Sequence, residues 1–90
     1  MLYALICDDK PGALDIRVAT RDAHLDYIRT TGVVTQAGPL LDAAGGMAGS
    51  LVILDVPDRA AAEAWAANDP YAAAGLFAAV AIRPWKKVVG

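Results

Sequence analysis

Ser50-Leu51-Val52-Ile53-Leu54-Asp55-Val56-Pro57-Asp58 decides the fold of this chain. In an extended strand successive side chains point to opposite faces, so Leu51, Ile53 and Asp55 share one side while Val52, Leu54 and Val56 share the other. Both sides are apolar, whereas a sheet with helices on one face and water on the other would alternate apolar with polar. Directly after the strand, Asp58 is a good N-cap and Arg59–Asn68 consists almost wholly of helix formers. Pro70 ends that helix, because the residue before a proline is pushed out of the α region.

Working outward from this strand-helix pair, Leu2–Cys7 is a continuous apolar run closed by Asp8-Asp9-Lys10-Pro11-Gly12, a strand followed by a loop. From Leu14 the spacing changes to the helical period: Leu14, Val18, Leu25 and Ile28 form one stripe, and Gly32 stands where a C-cap glycine belongs. Val33–Ala37 reads as a second strand running toward Gly38-Pro39-Leu40-Leu41. The glycine-rich Asp42–Gly49 is the loop of a hairpin leading into Ser50–Val56. After a turn over Pro70–Gly75, Phe77–Ile82 is the last strand and Pro84-Trp85-Lys86-Lys87 begins a tail.

The predicted order is βαββαβ, an α+β ferredoxin-like fold with a four-stranded antiparallel sheet in one domain spanning residues 1–90. The first and last strands are also apolar on both faces, and no segment remains to cover the face the helices leave open. A homodimer joined through the sheet faces is the expected cover. Composition agrees: 57% of the 90 residues are apolar and only 20% charged, more apolar material than one small core requires.

The net charge of −2 gives no electrostatic footprint for nucleic acid, and Leu51–Val56 lacks the aromatic residues of an RNA-binding strand. Cys7 is the single cysteine, so no intrachain disulfide can form and a reducing, cytoplasmic location is expected. The apolar run Met1–Cys7 is too short for a signal peptide. No stretch approaches the roughly 18 unbroken apolar residues of a membrane helix.

The chemistry-bearing residues are few. His24, the only histidine, shares a helix face with Arg17, Thr20, Arg21, Tyr27 and Ile28, a stripe bordering the core-facing one. A histidine at the edge of the core can be oriented by a neighbour and still reach a ligand; it can equally make one local hydrogen bond and do nothing more. Asp69, before Pro70, has the position of an N-cap with proline at the first helical residue. One of its oxygens could cap while the other accepts the His24 Nδ1–H, which would leave Nε2 as a base, as Asp does in hydrolytic triads.

Ser50 could offer a hydroxyl to a ligand, but no G-x-S-x-G surrounds it, so it is no triad nucleophile. Tyr71 and Tyr3 could line a pocket or serve in the core, and Arg17 and Arg21 could meet an anionic substrate or simply solvent. Gly38 and Gly75 are more readily explained by backbone geometry than by ligand contact. One histidine and one cysteine cannot build a zinc set, and no glycine-rich phosphate motif is present, so neither metal nor organic cofactor is expected.

Arg21-x-x-His24-x-x-Tyr27, Ala37-Gly38-Pro39-Leu40, Gly49-Ser50, Ala64-Trp65-x-x-x-Asp69-Pro70-Tyr71-x-x-Ala74-Gly75 and Pro84-Trp85-Lys86-Lys87-Val88 together resemble the YciI (YCII-related) family. The likeness covers nearly the whole chain, with the segments in order; the stretch from Trp65 to Gly75 and the C-terminal motif are the most specific. It implies a dimeric α+β barrel and a site holding a His–Asp pair at His24 and Asp69. The family is similar in fold to muconolactone isomerase and has a relative that dehydrochlorinates a chlorinated hydroxyhydroquinone. The resemblance therefore implies a cofactor-independent isomerase or lyase acting by acid–base chemistry on a small cyclic oxygenated compound. A non-catalytic small-molecule-binding or accessory module is the alternative, since fold does not fix function. The glycine-rich Gly45–Gly49 loop is a mild departure that could reshape the pocket mouth.

Overall fold

The computed structural model describes residues 1–90. Its elements are β1 (Leu2–Asp9), α1 (Leu14–Thr31), β2 (Val34–Leu41), β3 (Met47–Asp55), α2 (Arg59–Asn68), α3 (Pro70–Ala73) and β4 (Phe77–Trp85). The four strands form one antiparallel sheet in the order β2-β3-β1-β4, the ferredoxin-like arrangement. The expected βαββαβ order holds, with α3 as one added turn. The strands run longer than their apolar cores: β1 continues through Asp8 and Asp9, β3 starts at Met47 inside the glycine-rich segment, and β4 takes in Pro84 and Trp85. Pro84 is tolerated there because β4 is an edge strand.

Local signals set the helix ends. The Asp58 carboxylate accepts the Ala61 backbone N–H at 2.9 Å and starts α2. Gly32 ends α1 in the left-handed region at φ 66°, its N–H donating to the Ile28 carbonyl.

The main core lies between the sheet and α2: Tyr3, Leu5 and Cys7 of β1, Val52 and Leu54 of β3, Val56, and Ala62 and Trp65 of α2. Trp65 also ties α2 to α1, since its Nε1–H donates to Thr31 Oγ1 at 3.0 Å while the Tyr27 hydroxyl donates to the Trp65 carbonyl at 2.8 Å. Tyr3 belongs to this core at 4% exposure, its hydroxyl near Met1 Sδ, and does not reach the cavity described below. The structure therefore does not bring Tyr3 to the cavity with the other residues singled out from sequence; it shares the core with Ala62 and Trp65 of α2.

The stripe of α1 also differs from expectation. Leu14 and Val18 are 50% and 59% exposed, and the buried residues of the helix are Arg17 and His24. Polar residues share the inner face with Tyr27 and Ile28, which pack against the main core, and they have partners there, as described next.

On the far side of the sheet no helix packs. Strand register places Leu51 beside Ile6 and Ile6 beside Ala81, and Leu2 beside Trp85, so that face is apolar, with Leu51 and Trp85 each 39% exposed.

At Gly49 the β1 backbone leaves no room for a side chain: a Cβ there would stand 2.3 Å from the Cys7 carbonyl oxygen. Backbone cannot yield to such a contact without shifting the β1–β3 pairing. Gly49→Ala is expected to lower folding stability by about 1–3 kcal/mol, the usual cost of overpacking. A urea-unfolding midpoint equal to that of the unsubstituted chain would contradict this account of the β1–β3 pairing at Gly49.

Candidate active site

A cavity of about 230 Å³ opens between α1 and the β2–β3 edge of the sheet. Arg17, Arg21, His24, Ser50 and Tyr71 supply its polar wall, while Leu25, Ile28, Pro39, Met47 and Val52 are among its apolar lining. Of the residues singled out from sequence, the structure gathers His24, Ser50, Tyr71 and Arg21 around this space, with Asp69 directly behind His24.

His24 and Asp69 lie 45 residues apart in the chain and meet in the interior, Nδ1 to Oδ1 at 2.8 Å. Both are nearly enclosed, at 6% and 3% exposure. A carboxylate only accepts, so the hydrogen of this bond sits on Nδ1 and the neutral ring keeps its lone pair on Nε2. The same Oδ1 accepts the Tyr71 backbone N–H at 3.0 Å. Capping and orienting thus fall to one oxygen, where the sequence suggested a division between two. The geometry follows from Pro70: Asp69 is held extended (φ −61°, ψ 129°), which folds its side chain back over the first turn of α3 and toward α1.

Tyr71, one residue past Pro70, stacks its ring on the His24 imidazole, with centroids 4.0 Å apart and planes 19° from parallel. The Arg17 guanidinium carbon lies 4.9 Å from the centroid of the same Tyr71 ring, within cation–π range. Burial pushes the Tyr71 phenol up, with Arg17 pulling the other way, and burial pushes up that of Tyr27 as well.

Arg17 is a larger participant than its sequence position suggested. Its Nε–H and Nη2–H donate to the two oxygens of Asp9 at 2.7 and 2.8 Å, and Nη2 also donates to Ser50 Oγ at 2.9 Å. The pair is buried, with side chains 4% and 6% exposed, and the bond to Asp9 holds the guanidinium above its ordinary value. Losing one partner of such a pair costs about 3–5 kcal/mol, because the other charge is left buried and alone. A signal existed: Arg17 lies seven positions before His24 on one helical stripe, and Asp9 closes an apolar strand. Arg21, one turn on, is exposed, lines the cavity and forms no salt bridge. Gly38 also lines the cavity, but its φ is not positive and a Cβ there would meet nothing within 4 Å, so backbone geometry does not require glycine at that position. The structure gathers no set of three or more His, Cys, Asp or Glu side chains suited to a metal ion. No helix is long and apolar enough to cross a membrane.

A ferredoxin-like sheet with a small cavity under its first helix defines the protein as a member of the α+β class. The chain belongs to the YCII-related domain family, whose model matches residues 1–86. It is 39% identical to Protein YciI of Escherichia coli O6:H1 over 97 aligned positions, covering 98% of this chain and 99% of that one. An uncharacterized protein of Haemophilus influenzae is 36% identical over the same span of both chains. Among solved structures, the chain is similar to 5-chloro-2-hydroxyhydroquinone dehydrochlorinase from Burkholderia phenoliruptrix AC1100 in complex with 2,5-dihydroxybenzoquinone. That match has a TM-score of 0.88 and 34% identity, covering 96% of this chain and 94% of that one. An antibiotic biosynthesis monooxygenase, at a TM-score of 0.58 and 20% identity, shares the fold alone.

Cys7 lies beside Ser50 across the β1–β3 pairing, within the main core. Burial, then the negative charge of Asp69, pushes its thiol up from 9.0 to about 12. The folded chain therefore keeps a proton that the unfolded chain releases above 9.0, and stability falls as pH rises from there toward about 12. Urea midpoints measured from about pH 8 to about pH 10 should decline, and Cys7→Ala should flatten the decline. An unchanged slope in Cys7→Ala would place its origin elsewhere.

Proposed function

We propose that this chain is a cofactor-independent enzyme in which His24 and Asp69 carry out general acid–base chemistry on a small cyclic oxygenated compound, as an isomerase or a dehydrohalogenase. The observation that carries this reading is the 2.8 Å contact between His24 Nδ1 and Asp69 Oδ1 at the wall of a cavity of single-ring size. Likeness to a dehydrochlorinase at a TM-score of 0.88 supports the substrate class.

In this reading Asp69 orients the ring and stabilises the imidazolium, and Nε2 is the base. Nε2 takes a proton from the substrate, and the released electron pair forms a new π bond. In an elimination the carbon–halogen pair then leaves as halide, with net loss of HX; in an isomerisation the imidazolium returns the proton to a different carbon. Tyr71 would hold the imidazole from behind and pack against the substrate, Ser50 would hydrogen-bond a substrate oxygen, and Arg21 would face its negative charge. A positioned base supplies about 10²–10⁴-fold, so the apolar wall of Leu25, Ile28 and Pro39 must supply placement as well.

Chloride release from 5-chloro-2-hydroxyhydroquinone and related chlorinated hydroxyquinols, followed by ion chromatography, tests the assignment. His24→Ala is expected to lower turnover by about 10²–10⁴-fold, and Asp69→Asn to lower it by a smaller factor while preserving the fold. Full turnover in His24→Ala would remove the base from the mechanism.

The same proposal includes a homodimer formed through the open sheet faces, supported by the uncovered apolar surface around Ile6, Leu51 and Ala81. Sedimentation equilibrium is expected to give twice the chain mass, and Leu51→Glu to shift it toward the monomer by burying a charge without a partner. A monomer at all concentrations would overturn it.

A further inference from the structure

One hydroxyl on the cavity wall has its hydrogen-bonding decided by its neighbours. Arg17 Nη2 stands 2.9 Å from Ser50 Oγ in the interior. A guanidinium only donates, so Ser50 Oγ accepts in this contact and its own hydrogen must point elsewhere. No hydrogen bond within the chain has Ser50 Oγ as donor; the carboxylates nearby meet Arg17 and His24 instead. Ser50 is 4% exposed, and the space it borders is the cavity shared with His24. An accepting ligand atom seated in that cavity would meet the Ser50 hydrogen.

Arg17 cannot turn away to release this arrangement. Asp9 grips Nε and Nη2 from one side at 2.7 and 2.8 Å, and the Tyr71 ring lies against the guanidinium from another. A hydroxyl that accepts from a cation is also polarised into a stronger donor. Asp9–Arg17–Ser50 thus parallels Asp69–His24: in each a buried carboxylate fixes a second side chain, whose action is spent on the cavity.

We propose that Arg17 is a positioning residue that makes Ser50 a dedicated donor to a negatively charged ring oxygen of the substrate. The inference rests on the acid–base reading above and narrows its substrate class to cyclic compounds with an oxygen conjugated to the carbon or hydroxyl that loses its proton. When His24 Nε2 takes that proton, the electron pair of the broken bond delocalises onto the conjugated oxygen, giving an enolate or phenolate. Ser50 donates to this oxygen as its charge grows. The pair then returns to the ring, either expelling halide or accepting the proton back at another carbon, so no oxidant or reductant is consumed.

The probe is 2,5-dihydroxybenzoquinone, the compound held by the dehydrochlorinase this chain resembles, a coloured acid whose ionisation is read by absorbance. On the unsubstituted protein the bound probe should ionise at a lower pH than in buffer. Ser50→Ala, which leaves the Asp9–Arg17 pair intact, should weaken binding roughly 10- to 100-fold, as expected for a hydrogen bond to a charged group, and move the ionisation back toward that of the free probe. Arg17→Met should do the same, and combining the two should cost no more than the larger single loss, because they remove one device.

Binding and ionisation in Ser50→Ala equal to the unsubstituted protein, multiplicative losses in the double variant, or no perturbation of the probe by the unsubstituted protein would each overturn the inference. Should Arg17→Met fail to fold, Ser50→Ala alone still decides whether the hydroxyl donates. Turnover in His24→Ala separates the two readings. A dead His24→Ala with an unaffected Ser50→Ala leaves the base assignment standing and removes only the oxyanion donor, whereas an active His24→Ala removes the base assignment itself.

Discussion

The Oδ1 atom of Asp69 is the point on which the arrangement around the cavity depends. It accepts the Tyr71 backbone N–H, which starts α3, and the His24 Nδ1–H, which comes from α1. Helix α1 therefore docks through a polar contact as well as through Tyr27 and Ile28, which pack against the main core. The exposed Leu14 and Val18 are the counterpart of that choice. Two buried acids, Asp69 and Asp9, each meet a side chain from this one helix, and no buried side-chain polar atom is left without a partner.

How much of this was legible in the chain differs by the range of the interaction. The Asp58 cap, the Gly32 stop and the break at Pro70 are local, and each depends on a residue's own conformational preference, so they could be read directly. The apolar strands and their order were readable as well, because two-sided apolar runs have few places to go. The stripe of α1 misled because hydrophobic spacing assumes an apolar floor. The floor here includes Asp9 at the end of β1 and Asp69 from beyond α2, and neither is visible in the periodicity of the helix. Tyr3 lies apart from the cavity for a related reason: a phenol carries no mark of which element packs over it. His24 and Asp69 were picked out by their rarity and by the proline, but their meeting is a product of topology.

Arg17 shows the limit most clearly. An arginine in an amphipathic helix is ordinarily solvated, and only the bidentate geometry to Asp9 makes its burial tolerable. The pairing spans just eight residues, yet it crosses a loop and a change of element, so spacing rules for a single helix do not apply. Ser50 depends on it in turn, and its chemical character as donor or acceptor cannot be assigned until the arginine is in place.

Tyr71 has one further consequence. Its ring is stacked on the imidazole and lies against the guanidinium, and its backbone is pinned by Asp69 and by the proline before it. The rotamer freedom of these side chains is thus surrendered during folding, long before any ligand arrives. An incoming molecule meets a wall already set, and little of its binding free energy goes to ordering the protein.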